Sequence, residues 1–342
     1  MTMLTTGAAP APAPSARATD GKLEETESPL EAVRAADLGF AEKGFRLTTA
    51  NARLCDRVEP AIGVVFQSLS AYEPKDRATV MSGFGFETDI GVEAVIPGSP
   101  AEQVGIVPDE SLVAIDGVTI DTSLPRPDRK AGTRWVVAVH GAIATLPPTE
   151  PMMLTLRRNG RDRQVKVMPV AACRSRHELL LDGSSTALSN GDIVQIGSGM
   201  IERYGDDVVA AIAHELAHNV LRHRARMDAL GIGSGVFSSI GPDVPYYRRT
   251  ETEADILSVF LMANAGYDLA IVPRLWRAMG PRRENPFNAR THPRWQDRVA
   301  TMEKAIAMIN AEPGDFHLPA LLATRDKPLS KDWAAILVKA KR

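Results

Sequence analysis

The sequence predicts an α+β chain in which a β-rich module precedes a mostly helical region carrying a small edge sheet. Three observations carry this reading. At 342 residues the chain exceeds what one hydrophobic core usually organises. Between about residues 80 and 170 it consists of short β-branched runs broken by Gly, Pro and Asn-Gly turns, and beyond Cys173 helical spacing returns. Within that second stretch, His214-Glu215-Leu216-Ala217-His218 sits inside an apolar helical run. Four segments follow: a disordered leader over 1–27, a helical segment over 28–79, the β-rich module over 80–170 and the helical region over 171–342.

Taken in order, the first twenty residues are rich in Ala, Pro and Thr and cannot bury a core. They contain no continuous apolar stretch of the kind a signal peptide needs. From Pro29 onward Leu30, Val33, Ala36, Leu38 and Ala41 lean helical, with Pro29 suited to a first turn. Strands are expected at 91–96, 111–115, 118–120, 152–157 and 164–167. Asn159-Gly160 is a hairpin signal between the last two, and a helix over 133–145 interrupts the series. Farther on, a strand is expected at 192–197 and helices at 206–226, 252–265, 271–279, 294–311 and 331–341. The small-residue stretch 231–241 reads as a mobile loop.

Composition narrows the function classes. Apolar residues make up 44% and charged residues 24%, the proportions of a globular chain. Forty Lys and Arg against forty-two Asp and Glu give a net charge of −2, which argues against a nucleic-acid partner. The basic hairpin 157–166 and the cluster 222–226 read as a solvated turn and a helix C-terminus. No run approaches the roughly 18 to 20 apolar residues of a membrane-spanning helix, so the chain reads as soluble. Cys55 and Cys173 are too few for a disulfide scaffold or a four-thiolate site. In an exported chain they would form a bridge worth about 4 to 5 kcal/mol by loop entropy; otherwise they are two buried thiols.

The pentad carries the chemistry. Four residues turn about 400° on a helix, so His214 and His218 project from one face and can clamp a metal ion. Glu215 stands one step round, within reach of a water on that ion. Imidazoles suit Zn²⁺, and a catalytic zinc takes three protein ligands with a fourth position open. The bland alternative is an ordinary amphipathic helix, which seven histidines in the whole chain make a poor explanation of this spacing. His223 follows His218 by five, about 500° of helix, and so points away as a structural or surface residue. The third ligand is instead sought in Glu251-Thr252-Glu253-Ala254-Asp255. There Glu251 could bind the metal and Asp255, on the same face, could hold a ligand histidine's N–H. Glu253 reads as a solvated acid at a helix start.

These residues, with Ala265-Gly266-Tyr267-Asp268 and Thr291-His292-Pro293 followed by Arg298, resemble the CAAX-prenyl-protease-like zinc peptidases, family M48 of the gluzincins. The likeness runs over about 174–311. It implies one zinc ion held by His214, His218 and Glu251, Glu215 as general base, and Asp255 and Arg298 behind the ligands. His292 would stabilise the oxyanion or occupy the open position. It also implies that 192–197 is an edge strand which pairs with an extended substrate; Thr186-Ala187 stands where relatives show Asn-Ala. Membrane-embedded relatives carry spanning helices, for which this chain has no candidate.

In the β-rich module, Gly83-Phe84-Gly85-Phe86, then Pro97-Gly98-Ser99-Pro100-Ala101, then Ile115-Asp116-Gly117, resemble a PDZ domain. The resemblance implies that Gly83, Phe84, Gly85 and Phe86 form the loop receiving a peptide C-terminus. The alternative is a spacer of that shape which binds nothing. The sequence thus reads as a zinc metalloendopeptidase acting on protein or peptide substrates. Its expected setting is envelope protein quality control in a bacterial periplasm or after secretion, with a cytoplasmic location as the alternative. The second reading is a latent protease serving as a peptide- or client-binding factor.

Overall fold

The computed structural model describes residues 29–120, 122, 132–233, 241–283, 288–312 and 314–340. The leader over 1–27 and most of the loop expected over 231–241 (residues 234–240) lie outside them. The chain opens with α1 (Pro29–Ala50), whose buried residues Phe40, Gly44, Leu47 and Thr48 recur at helical spacing. The helix expected to run to about Leu54 ends at Ala50. Strands β1 (Val58–Ala61) and β2 (Val64–Ser68) follow, and in β2 Phe66 and Ser68 are buried while Val65 and Gln67 are half-buried, the alternation of a strand. Between them Gly63 has φ +79°, and a Cβ there would lie 2.2 Å from the Ser99 Cβ, so no larger residue fits.

The module continues through α2 (Arg77–Gly83), β3 (Ile90–Val95), α3 (Pro100–Gln103), β4 (Ser111–Ile115), β5 (Val118–Thr119), α4 (Arg134–Ala144), β6 (Met152–Arg158) and β7 (Arg161–Val167). The strands pair antiparallel in the order β2-β3-β4-β6-β7, with β5 beside β4. As expected, β6 and β7 form a hairpin, and Asn159 and Gly160 both take positive φ, 53° and 69°, as a two-residue turn requires. From α4, Trp135, Val139 and Ile143 pack into the sheet's core with Val92, Leu154 and Leu156.

Phe84 and Phe86 are core residues. They are 0% and 3% exposed and cluster with Leu69 and Val80 beneath Leu30 of α1. The Arg34 guanidinium lies 4.7 Å from the Phe84 ring and pairs with Asp109 at 2.6 Å. Within the segment expected as a peptide loop, the Phe84 and Phe86 side chains are thus buried beneath the N-terminal helix, while Gly83 and Gly85 are exposed.

Strand β8 (Val170–Cys173) pairs antiparallel with β1, and beside that pairing Cys55 and Cys173 form a disulfide. A second sheet follows from β9 (Arg176–Leu180), β10 (Ala187–Ser189) and β11 (Ile193–Gly197), ordered β10-β11-β9. The strand expected at the edge, β11, is thus the central one, with Ile193, Val194 and Ile196 buried, and β9 and three-residue β10 are the two edges. Helices α5 (Ser198–Tyr204), α6 (Val208–Val220), α7 (His223–Asp228), α8 (Val244–Asn264), α9 (Ile271–Arg283), α10 (Asn288–Thr291) and α11 (Trp295–Ala311) complete the fold. Their shared core, which includes Leu216, Leu257, Leu261 and Met302, also takes Phe40 and Leu47 of α1.

Two helix expectations need correction here. The single helix expected over 206–226 breaks at Arg222, whose φ is 56°, so α7 starts in a new direction. Residues 331–340 contain turns but no helix, and their end is tied to side chains of α11: Val338 N–H donates to Thr301 Oγ1 at 2.9 Å and Ala340 N–H to Asp297 Oδ1 at 3.0 Å. No helix among the described residues is long and apolar enough to cross a membrane.

Candidate metal centre

Helices α6 and α8 pack together and bring the pentad against the acidic run. His214 Nε2 lies 3.2 Å from His218 Nε2 and 3.3 Å from Glu251 Oε2, and His218 Nε2 lies 3.6 Å from Glu251 Oε1. These three side chains form a cluster able to hold a metal ion. Four ligands at about 2.0 to 2.1 Å around a tetrahedral zinc stand about 3.3 Å from one another, so the spacing and the two-imidazole, one-carboxylate donor set both fit that ion.

Behind the cluster, Asp255 is fully buried with its Oδ1 3.2 Å from His214 Nδ1. Arg298 of α11 donates to both Asp255 oxygens, at 2.8 and 2.7 Å, and reaches Glu251 Oε2 at 3.2 Å. Burial alone would lower the His214 imidazole, but its hydrogen bonds to Asp255 and Glu251 raise it to about 9. Burial would likewise raise Glu251, yet the charges of His292 and the two pentad histidines hold it well below the usual range. Despite burial, Asp255 keeps the Arg298 guanidinium above its ordinary value.

Glu215 faces the same cavity of about 990 Å³, and burial raises its carboxyl. Ser189 of edge strand β10 donates its hydroxyl to Glu215 Oε2 at 2.9 Å. His292, following α10, places Nε2 3.3 Å from Glu251 Oε2, with Nδ1 2.9 Å from Thr291 Oγ1. The structure therefore gathers His214, Glu215, His218, Glu251, Asp255, His292 and Arg298 at one place. Gly83, Phe84, Gly85 and Phe86 lie apart from it: Phe84 and Phe86 belong to the cluster under α1, and Gly83 and Gly85 are exposed.

Sequence reasoning missed two groups here. His223, expected to point away, is 3% exposed with Nδ1 3.0 Å from His218 Nδ1. Glu253, expected in solvent at a helix start, is fully buried because α8 begins at Val244, and it accepts from Arg226 at 2.9 Å and Arg249 at 2.5 Å. No signal in the residue types marks the turn at Arg222; the burial of Glu253 could have been sought from Arg226 and Arg249, the two arginines that pair with it.

Two family models match parts of the chain. The model of peptidase family M48 matches residues 232–306, which include Glu251, Asp255, His292 and Arg298, and the PDZ domain model matches residues 91–126. The chain is similar to the mitochondrial metalloendopeptidase OMA1 of Schizosaccharomyces pombe, with 29% identity over 136 residues, 33% of this chain and 40% of that protein. For the OMA1 of Arabidopsis thaliana the identity is 26% over 144 residues, 36% of this chain and 30% of that protein. The match thus spans less than half the length of either relative. Among solved structures, the HtrA3 PDZ domain with a phage-derived ligand is 19% identical at TM-score 0.24, covering 34% of this chain and 89% of that one. The HtrA-type protease AlgW with a decapeptide is 19% identical at TM-score 0.25, covering 33% of this chain and 30% of that one. The chain carries a domain of peptidase family M48, preceded in sequence by a PDZ domain.

Proposed function

We propose that the chain is a zinc-dependent metalloendopeptidase hydrolysing peptide bonds of protein substrates. The observation that carries this is the tetrahedral-edge spacing of His214, His218 and Glu251 with Glu215 beside them. Those three side chains would hold the ion, which would supply Lewis acidity toward the scissile carbonyl and a lowered pKa for the attacking water. Glu215, its carboxyl raised by burial, takes the water's proton and passes it to the leaving amine. Ser189 fixes the orientation of that carboxylate. His292, on the open side of Glu251, is placed to donate to the oxyanion. Asp255 and Arg298 hold the ligands from behind.

An extended substrate adds beside β10, whose three residues line the cavity. The cavity is also lined by Trp276, Trp295 and Trp333, three of the chain's four tryptophans, which favours apolar side chains flanking the cleaved bond. The PDZ domain engages a peptide by strand addition at β2, which among the described residues pairs only with β3 and has α4 beside it. The Cys55–Cys173 bond supports export to an oxidising compartment and a role in envelope protein quality control.

The test is Glu215→Gln. The variant is expected to retain about one zinc per chain by metal analysis and to lose casein hydrolysis. Retained cleavage would exclude this mechanism. Wild-type protein that binds zinc and C-terminal peptides without turnover would favour the client-binding reading.

A further inference from the structure

We infer that His223 is a positioning residue for the metal centre, the middle member of a hydrogen-bonded chain that runs from His218 to the buried carboxylate of Glu253. This rests on the zinc-site reading above. A histidine that binds a metal through Nε2 is neutral and carries its proton on Nδ1, and the partner of that N–H fixes both tautomer and ring orientation. For His214 the facing carboxylate is Asp255, whose Oδ1 lies 3.2 Å from Nδ1 without an aligned hydrogen bond. His218 has no carboxylate there. Its Nδ1 faces His223 Nδ1 at 3.0 Å, and His223 Nε2 lies 3.0 Å from Glu253 Oε2.

One proton arrangement satisfies every member. His218 Nδ1–H donates to His223 Nδ1, and His223 Nε2–H donates to Glu253 Oε2. Arg226 Nη1 donates to the same oxygen at 2.9 Å and Arg249 Nε to Oε1 at 2.5 Å, so the buried carboxylate keeps its charge and its place. The reverse tautomer of His223 would leave two N–H groups facing each other and its Nε2 lone pair against the carboxylate.

The backbone supplies the reason His223 reaches this position. A continuing α6 would carry it about 140° away from the face of His218. Arg222 instead adopts φ 56°, a conformation unfavourable for a residue with a side chain, and α7 starts there with His223 turned inward. The three acids of α8 thus have three tasks: Glu251 faces the ion, Asp255 supports His214 directly, and Glu253 supports His218 through His223.

Zinc affinity, measured by chelator competition on the full chain, tests the inference without relying on catalysis. His223→Leu is expected to weaken zinc binding about 10- to 100-fold. In His223→Gln the amide oxygen accepts from His218 and the amide N–H donates to Glu253, so most of that affinity returns. If His223→Leu binds zinc as tightly as wild type, or if Gln and Leu are equally impaired, the inference fails. Should either variant not fold, long-range ¹H–¹⁵N spectra of the zinc-loaded wild type decide. A His223 proton on Nε2 is expected, and one on Nδ1 overturns the chain. Wild-type protein that binds no zinc would fail the zinc-site reading itself, a distinct outcome.

Discussion

Arg298 clamps Asp255 through two hydrogen bonds, Nε to Oδ2 at 2.8 Å and Nη2 to Oδ1 at 2.7 Å, with Asp255 fully buried and Arg298 9% exposed at the cavity wall. A charge pair so placed gives little net stability when whole, but loss of one partner strands the other. Arg298→Leu should therefore destabilise the chain by about 3 to 5 kcal/mol in urea denaturation. Arg298→Leu with Asp255→Asn should recover part of that loss, because the stranded charge is gone. Equal stability of the single variant and wild type would show that the carboxylate is supported otherwise.

Ser189 and Glu215 belong to different layers, an edge strand and a helix, and meet through one hydroxyl. Ser189→Ala removes the hydrogen bond that holds the general base without touching a ligand. The expected result is a kcat about 10-fold lower on a fixed peptide substrate, with KM and zinc content little changed. An unchanged kcat would mean that packing alone orients Glu215.

The disulfide joins the start of the β-rich module to the strand that closes it, across a sequence separation of 118 residues. Removing it enlarges the unfolded ensemble and should cost about 2 to 5 kcal/mol. Thermal unfolding of wild type should fall by several degrees in reductant, and Cys55→Ser with Cys173→Ser should start low and not respond. Two freely alkylated thiols in the untreated protein would contradict the bond.

The pentad and the Glu251–Asp255 pair were legible because each relies on spacing within one helix, where i and i+4 share a face whatever surrounds them. The extension to His223 failed at one residue: Arg222 leaves the helix, and an arginine's identity gives no warning of positive φ. Ala187–Ser189 is too short to show an alternation, so the longer β11 attracted the edge assignment. Gly83-Phe84-Gly85-Phe86 suits an open loop as well as a buried turn. Leu30 and Arg34, some fifty residues upstream, are brought by tertiary packing over the Phe84 and Phe86 side chains, while Gly83 and Gly85 stay exposed.

Glu93 offers a pH test away from the metal centre. It lies in β3 at 1% exposure, and its Oε1 has no hydrogen-bond partner. Burial, reinforced by the charge of Asp37 and only partly offset by Arg34 and Gln67, raises its carboxyl from 4.5 to about 8. The sign follows from linkage: the folded chain holds this proton more tightly than the unfolded chain. Glu93 therefore costs nothing by ionisation below about pH 4.5, and its penalty grows as pH rises until about 8. Glu93→Gln, which keeps the shape without the ionisation, should be more stable than wild type at pH 8 by on the order of 4 kcal/mol. At pH 5 the two should differ little. A stability difference that is the same at both values would show that Glu93 is already ionised, or still protonated, across the whole range.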